Sequence, residues 1–274
     1  MTPPESTGTR PARDRGGAGP SAAARAPWIL AQLGKRVLRP GGLETTRWLL
    51  TQLAVEGRDV VEILPGRGLG TRAILADAPA GYTGVESDEE TQQMIADLLP
   101  EGSRYRAVIG RAERTGLPAS SADVVLIEAV LSTLGDEEKA AVLAEAHRIL
   151  RPGGVCGVHE LALRPGQLSA LEQEGIRRNL ALELRLPARP LTVPDWEDLA
   201  QSQGLRPEQM KLVPMSMLQP RRMLADEGAA GVLRILGNMA RRPRAARRAQ
   251  RMHRVFWDHR RHLSGMALVL RRPR

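Results

Sequence analysis

Cysteine and aromatic residues are scarce in this 274-residue chain, and long apolar runs are missing. The single cysteine, Cys156, excludes a disulfide within the chain and a multi-cysteine metal site; a small buried residue is its expected role. With 3% aromatic residues, the core must be built from Leu, Val, Ile, Ala and Met. No stretch approaches the roughly 18 uncharged apolar residues of a membrane span, and no apolar signal segment follows the N-terminus. These absences favour a protein of a reducing cytoplasm.

Lysine is also rare, since 37 of the 40 basic residues are arginines, and the net charge of +9 is spread unevenly. Residues 221–274 hold fifteen arginines against three acids. Such a segment can bind phosphates or nucleic acid, or it can be the solvated face of helices. Arginine-rich, alanine-rich usage favours the solvated face, and nucleic acid remains the less favoured partner.

Strand and helix patterns alternate from residue 59 onward. Strands are predicted at 59–64, 81–86, 105–110, 122–130, 155–163, 208–217 and 265–271. Apolar strands separated by helices imply a parallel sheet that is covered on both faces. We therefore expect an α/β fold: a Rossmann-like, doubly wound sheet of seven strands, with the last strand antiparallel.

Three segments stand apart from this alternation. Residues 1–26 mix Pro, Gly, Ser, Ala and Arg without periodicity, which predicts a disordered leader before a single domain at 27–274. Helical insertions are predicted at 167–186 and 218–264. We expect these insertions to form a cap that encloses a substrate.

The stretch "VVEILPGRGLGT" (60–71) places a glycine turn between the first strand and the next helix. Such a turn brings the backbone close to a ligand, with the helix N–H groups facing it. Gly66 and Gly68 match the first part of the dinucleotide pattern G-x-G-x-x-G, but Thr71 stands at its third glycine. The turn alone does not identify the cofactor.

Five features in order resemble the class I S-adenosylmethionine-dependent methyltransferases over about residues 43–217. They are the acid and glycine turn of 62–68, with Leu64 at the first glycine position; the acid Glu86 after strand two; "GRAERTGLP" (110–118); "ADVVLIEAVLSTL" (122–134); and "ILRPGGV" (149–155). The resemblance implies S-adenosyl-L-methionine as the cofactor. It also implies that the enzyme is a methyltransferase.

The resemblance carries roles to individual residues. Glu62 approaches the methionine ammonium, and Glu86 accepts hydrogen bonds from the ribose hydroxyls. Arg111, which stands where an Asp is usual, and Ala112 fall on the stretch that contacts adenine. The complete cofactor-binding set is Glu62, Pro65, Gly66, Gly68, Glu86, Ser87, Arg111 and Ala112.

Candidate catalytic residues lie late in strands four and five, where parallel α/β sheets bind their ligands. His159 is the candidate general base because imidazole titrates near neutrality, and Glu128 is its companion. Strand alternation sends His159 and Glu160 to opposite faces, so Glu160 is the alternative inward residue. A hydrogen-bonded structural histidine is the other interpretation of His159.

The substrate is expected to be a small molecule. "IEAV" (127–130) stands where nucleic-acid amino methyltransferases of this family carry an Asn/Asp-Pro-Pro-aromatic stretch. The alternative is a basic nucleic-acid-binding protein or an RNA methyltransferase that uses the arginine-rich C-terminal region. Met215, Met217, Met223 and Trp257 are candidates for an apolar pocket. His253, His259 and His262 match no zinc spacing, so no metal is expected, and the oligomeric state is left open.

Overall fold

A computed structural model describes residues 26–37, 39–215 and 220–274. The predicted leader, apart from Ala26, and Met217 therefore lie outside the described residues. The helices are α1 (Ala26–Gln32), α2 (Gly42–Leu53), α3 (Leu69–Ala76), α4 (Glu89–Ala96), α5 (Asp136–Ile149), α6 (Ala170–Leu184), α7 (Val193–Ser202), α8 (Pro220–Arg241, with a non-helical residue at Gly228) and α9 (Pro243–Asp258). A 3₁₀ turn spans Leu131–Thr133.

The strands form one sheet in the order β3-β2-β1-β4-β5-β8-β7. They are β1 (Asp59–Ile63), β2 (Gly81–Glu86), β3 (Tyr105–Ile109), β4 (Ala122–Glu128), β5 (Leu150–Leu163), β6 (Leu191–Thr192), β7 (Arg206–Pro214) and β8 (Leu263–Arg271). β8 runs antiparallel to both β5 and β7, and the other pairs are parallel. The predicted Rossmann-like sheet of seven strands with an antiparallel last strand is confirmed.

One additional strand was not predicted. Leu191 and Thr192 pair with the end of β5 as the two-residue β6. Thr192 also caps the following helix, α7, because its side chain accepts a hydrogen bond from the N–H of Asp195. A cap residue has extended backbone angles, so it also fits the end of a strand.

Helices cover both faces of the sheet, as the apolar strands require. On one face, α2 packs Leu49 and Leu53 against Leu126 and Ala267. On the other face, α5 and α7 contribute Val142 and Trp196 to the largest apolar cluster. Cys156 is fully buried in that cluster, where burial raises the pKa of its thiol to about 12.

A third apolar cluster joins α1, α6 and α9 to the carboxyl end of β5. It contains Leu30, Leu163, Leu180, Met252 and Phe256, all of them buried. The predicted helical insertions thus pack together at this end of the sheet. None of the described helices combines the length and the apolarity that crossing a bilayer demands.

Candidate functional site

The carboxyl edge of the sheet, where the chain order switches between β1 and β4, collects four titratable side chains. Glu62, Glu86, Glu128 and His159 lie on one face of the sheet. Glu62 is in register with Gly84 of β2 and with Leu126 of β4, and Leu126 is in register with Gly157 of β5. Glu86, Glu128 and His159 each lie two positions after one of these partners, so they share the face of Glu62. Three carboxylates from neighbouring strands therefore converge at the edge where such sheets bind ligands.

The glycine turn between β1 and α3 has left-handed backbone angles at three alternate positions. Leu64 has φ 53°, Gly66 has φ 62° and Gly68 has φ 70°. A Cβ on Gly66 meets no heavy atom closer than 4.0 Å, so this glycine lies beside open space. A Cβ on Gly68 would lie 2.3 Å from the Leu98 side chain, which follows α4, so a side chain there would displace Leu98. Pro65, which directly precedes Gly66, is buried.

Glu86 ties the end of β2 to this turn. Its Oε1 accepts a hydrogen bond of 2.5 Å from the backbone N–H of Gly66. Burial raises the pKa of the Glu86 carboxyl, because removal from water disfavours its charged form. Ser87 follows directly and is exposed. Two of the motifs identified in the sequence therefore meet in one contact.

The stretch after β3 holds the remaining predicted cofactor residues. Arg111 is exposed and forms an ion pair with Glu113, whereas Ala112 is buried. Arg111 and Arg114 exchange two backbone hydrogen bonds, of 3.0 and 3.1 Å, which close a tight turn. The structure places this turn after the strand that neighbours Glu86, since Glu86 is in register with Ile109.

Glu62 is fully enclosed, and only one of its two oxygens is satisfied. Oε2 accepts hydrogen bonds of 2.7 Å from the hydroxyls of Thr71 and Tyr82. Oε1 has no hydrogen-bond partner among the described residues. Burial raises the pKa of Glu62 to about 7, although the nearby Arg39 guanidinium opposes the shift. A Cβ on Gly70 would lie 2.1 Å from Oε1, so a side chain there would displace the Glu62 carboxylate.

Glu128 is the centre of a buried polar network. Its Oε1 accepts hydrogen bonds from Thr46 Oγ1 at 2.7 Å and from His159 Nδ1 at 2.8 Å, and its Oε2 forms an ion pair with Arg39. Burial alone raises the pKa of this carboxyl, but the Arg39 charge and the His159 hydrogen bond outweigh it and bring the pKa to about 2. Glu128 is therefore ionised at neutral pH.

His159 uses both of its ring nitrogens in this arrangement. Nδ1 faces the Glu128 carboxylate, and Nε2 faces the carbonyl oxygen of Pro40. Both partners are hydrogen-bond acceptors, so neither ring nitrogen faces open space. His159 can accept a proton from a nucleophile only if Pro40 first moves away. The structure brings the two predicted catalytic residues into direct contact, and their catalytic role stays a prediction.

Glu160 lies on the opposite side of β5 and has a different set of partners. Its carboxylate accepts hydrogen bonds from the backbone N–H groups of Val130 and Leu131 at 2.6 Å and of Ser132 at 3.1 Å. The side chain thus holds the loop after β4 in place, and burial raises its pKa.

Sequence reasoning missed Arg39, Thr46, Thr71 and Tyr82, which complete the buried network around the acids. Arg39 arrives from the segment before α2, far from the glycine turn in sequence. No motif marked it, since "LRP" (38–40) is typical of an ordinary turn. Tyr82 shares the strand parity of Glu86, which predicts its face but not its partner.

Residues 61–158 match the family model for a methyltransferase domain. An uncharacterized protein of Haemophilus influenzae is 29% identical over 234 residues, which cover 84% of this chain and 91% of that protein. A probable S-adenosylmethionine-dependent methyltransferase of Mycolicibacterium smegmatis is 31% identical over 169 residues, 58% of this chain and 63% of that protein.

The fold is also similar to that of Haemonchus contortus phosphoethanolamine N-methyltransferase 2, solved in complex with S-adenosyl-L-methionine. The TM-score is 0.65 at 14% identity, over 93% of this chain and 59% of that one. Residues 61–158 therefore form a methyltransferase domain, and the chain is similar in sequence and fold to enzymes whose cofactor is S-adenosylmethionine.

Proposed function

We propose that this enzyme transfers a methyl group from S-adenosylmethionine to a small molecule. The cofactor is held by Glu62 at the methionine ammonium and by Glu86 at the ribose hydroxyls. Gly66 and Gly68 let the backbone approach it. Pro65, Ser87, Arg111 and Ala112 complete the cofactor-binding set.

The fit of this cofactor is supported by the unsatisfied oxygen of Glu62. A buried carboxylate oxygen without a donor is costly, and a cationic ammonium with three N–H donors removes that cost. The open space beside Gly66 and the Glu86 carboxylate next to it suit a hydroxyl-bearing ring. The bound cofactor supplies the electrophilic methyl carbon, and the protein supplies position and charge.

A small-molecule acceptor is supported by the helices that pack over the carboxyl end of β5. The apolar cluster of α1, α6 and α9 closes this end of the sheet instead of leaving a flat surface. A groove of about 590 Å³ remains between α1, α8 and α9. Its volume lies within the roughly 300–1,000 Å³ range of small-molecule sites. This cap is the observation that carries the proposal.

Glu128 and His159 are proposed to lie beside the transferred methyl and to orient the nucleophile. An ionised Glu128 stabilises positive charge that develops on an attacking nitrogen. A hydroxyl nucleophile needs a base instead, and His159 becomes one only when Pro40 releases Nε2. Positioning is therefore the main contribution expected from this pair.

Calorimetry with S-adenosylhomocysteine, the demethylated cofactor, tests the cofactor site, with NAD as the matched negative control. Purified protein with methyl-labelled cofactor and a metabolite extract then tests the acceptor class. Label in an extractable small molecule supports the proposal. Binding of NAD without S-adenosylhomocysteine, or label only in RNA or DNA, contradicts it.

A second candidate, nucleic-acid binding or RNA methylation, is favoured by the exposed arginines. Arg244, Arg247, Arg251 and Arg254 recur at three- and four-residue spacing along α9, and all are exposed. Another groove, of about 1050 Å³, is lined by Arg177, Arg178, Arg185 and Arg189. A gel shift with RNA and DNA over a salt series separates the candidates, because phosphate contacts give a steep loss of affinity with salt.

A further inference from the structure

The groove between α1, α8 and α9, here called the cap groove, has an apolar body. Leu30 and Leu33 line it from the α1 side, and Ile235 and Met239 line it from α8. Leu30, Leu33 and Ile235 are at most 3% exposed, so they belong to the packed interior. Such walls exclude a ligand that is polar along its whole length, because its polar groups would lose water without gaining partners.

Lys35 places a buried cation in this apolar wall. The residue is 2% exposed, and its Nζ has no hydrogen-bond partner among the described residues. The nearest carboxylate oxygen, Glu227 Oε1, is 3.7 Å away. That oxygen already accepts hydrogen bonds from the backbone N–H groups of Arg36 at 2.8 Å and Val37 at 2.9 Å. The ammonium therefore retains donors that nothing described in the structure uses.

The titratable residues that line the cap groove itself are all basic. Arg254 and His253 also line it, and residues 221–274 hold only three acids. Two of these acids lie near Lys35: Glu227 binds the segment before α2 as described, and Asp226 Oδ1 accepts a hydrogen bond of 3.2 Å from the N–H of Leu43 in the first turn of α2. Among the described residues Lys35 Nζ thus has no hydrogen-bond acceptor, and an anion entering from solution supplies one.

The cap groove is linked to the buried network by a short stretch of chain. Lys35 lines the groove, and the carbonyl of Pro40, five residues on, accepts the hydrogen bond of His159 Nε2. Five residues span at most about 18 Å. A ligand whose head group binds Lys35 therefore lies within the length of a medium hydrocarbon chain of Glu128 and His159.

We propose that the cap groove binds a monomeric amphiphilic anion, with its carboxylate or phosphate at Lys35 and its hydrocarbon body against Leu30, Leu33 and Ile235. This inference rests on the proposed function and names the chemical class of its methyl acceptor. Trp257, which lines the groove and is 49% exposed, provides a fluorescence signal for occupancy.

The test titrates the cofactor-free protein with decanoate, decyl phosphate and the neutral 1-decanol, each below its micelle concentration, while tryptophan fluorescence is followed. The two anions are expected to bind at least tenfold more tightly than decanol, and comparison of the two identifies the preferred head group. Trp257→Phe is expected to remove the signal change, which assigns it to the groove.

Lys35→Met is expected to abolish the preference for anions and to retain decanol binding. Lys211→Met is the matched control, since Lys211 pairs with Glu44 outside the groove. Circular dichroism establishes that both variants fold. Unchanged anion preference in Lys35→Met overturns the head-group site, and binding only to anionic vesicles assigns this surface to a membrane instead.

Failure of this inference is distinguishable from failure of the proposed function. S-adenosylhomocysteine binding, measured by calorimetry on the same preparation, reports the cofactor site alone. If the cofactor product binds and none of the decyl ligands does, the acceptor class is wrong and the methyltransferase assignment stands. If decanoate binds and S-adenosylhomocysteine does not, the proposed cofactor residues are wrong.

Discussion

Glu128 and His159 are cross-strand neighbours of β4 and β5, and a hydrogen bond of 2.8 Å joins Oε1 of the first to Nδ1 of the second. Both side chains are at most 2% exposed. The pair is completed by Arg39, whose guanidinium faces the other Glu128 oxygen. The Glu128 carboxylate is thus the partner that Arg39 and His159 share, and its loss leaves both without that partner.

Glu128→Gln is expected to destabilise the protein by about 3–5 kcal/mol, because removing one member of a buried ion pair leaves the others uncompensated. Folding holds the pKa of Glu128 at about 2, below its ordinary value of 4.5. Its stabilisation is therefore present above pH 4.5 and is lost as the pH falls toward 2. The free energy of unfolding, measured with urea between pH 3 and pH 7, should fall less steeply with decreasing pH in the variant than in the wild type. An equal slope in both proteins contradicts this account.

His159→Ala is expected to lower turnover of an identified substrate by about 10²-fold or more, the usual size of a lost proton-transfer or orienting group. Cofactor affinity should stay within about twofold. Glu160→Ala serves as the comparison, because its partners are backbone N–H groups on the opposite side of β5 and its expected effect is on stability. Unchanged turnover in His159→Ala removes this residue from the mechanism.

Glu62→Gln is expected to change stability and cofactor binding in opposite directions. Burial raises the pKa of Glu62 to about 7, so the folded protein keeps a proton that the unfolded chain releases near pH 4.5. The wild type thus loses stability as the pH rises from about 4.5 to 7, and the amide does not. The variant should gain about 1–3 kcal/mol relative to wild type between pH 5 and pH 8.

Cofactor binding gives the second readout for Glu62→Gln. An amide carries no charge for the methionine ammonium, so calorimetry at pH 8 should show at least a tenfold loss of S-adenosylmethionine affinity, about 1.4 kcal/mol. Retained affinity at pH 8 assigns the buried carboxylate to the structural network with Thr71 and Tyr82 alone.

Glu86→Ala is expected to weaken S-adenosylmethionine binding by about 10–100-fold, since hydrogen bonds to a charged acceptor contribute about 1.5–3 kcal/mol. Glu90→Ala is the matched control, because Glu90 is exposed on α4 and close to Glu86 in sequence. Isothermal titration calorimetry with S-adenosylmethionine compares the affinities of the two variants. Equal affinities place the ribose away from the end of β2.

Ala129→Gly and Ala54→Gly are each expected to stabilise the protein by about 0.5–1 kcal/mol. Both alanines are exposed and have left-handed backbone angles, φ 58° and φ 47°, which glycine adopts without a Cβ penalty. Thermal unfolding measures the effect. Ala54 ends α2, whereas Ala129 follows Glu128 at the site, so a loss of turnover confined to Ala129→Gly indicates that the strained backbone serves catalysis.

The fold and the cofactor could be predicted from the sequence because their signals are local. Apolar strands alternate with amphipathic helices, and a glycine turn can be recognised from adjacent residues. Boundaries were less accurate: β7 spans Arg206–Pro214 rather than 208–217, since its pairing with β8 fixes the ends. Leu64 was recognised at a position where glycine is usual, and its φ of 53° supplies the conformational reason.

The network around Glu128 could not be predicted, because its members are distant in sequence. Arg39 and His159 are separated by 120 positions, and only the packing of the segment before α2 against β5 brings them to one carboxylate. Strand alternation predicted that His159 and Glu160 would point to opposite faces. It could not say that both would be fully hydrogen-bonded.

By itself, the sequence determined the strand order along the chain, the glycine turn and the identity of the acids after β1 and β2, since each depends on neighbouring residues. Only the tertiary structure decided that Glu62 keeps one unsatisfied oxygen while Glu128 is ionised. Both are buried carboxylates on one face of the sheet. Their opposite pKa shifts arise from their partners: Arg39 and His159 both pair with Glu128, whereas Arg39 only approaches Glu62. Such a difference depends on distances of a few ångströms in a low-dielectric interior, which no local pattern encodes.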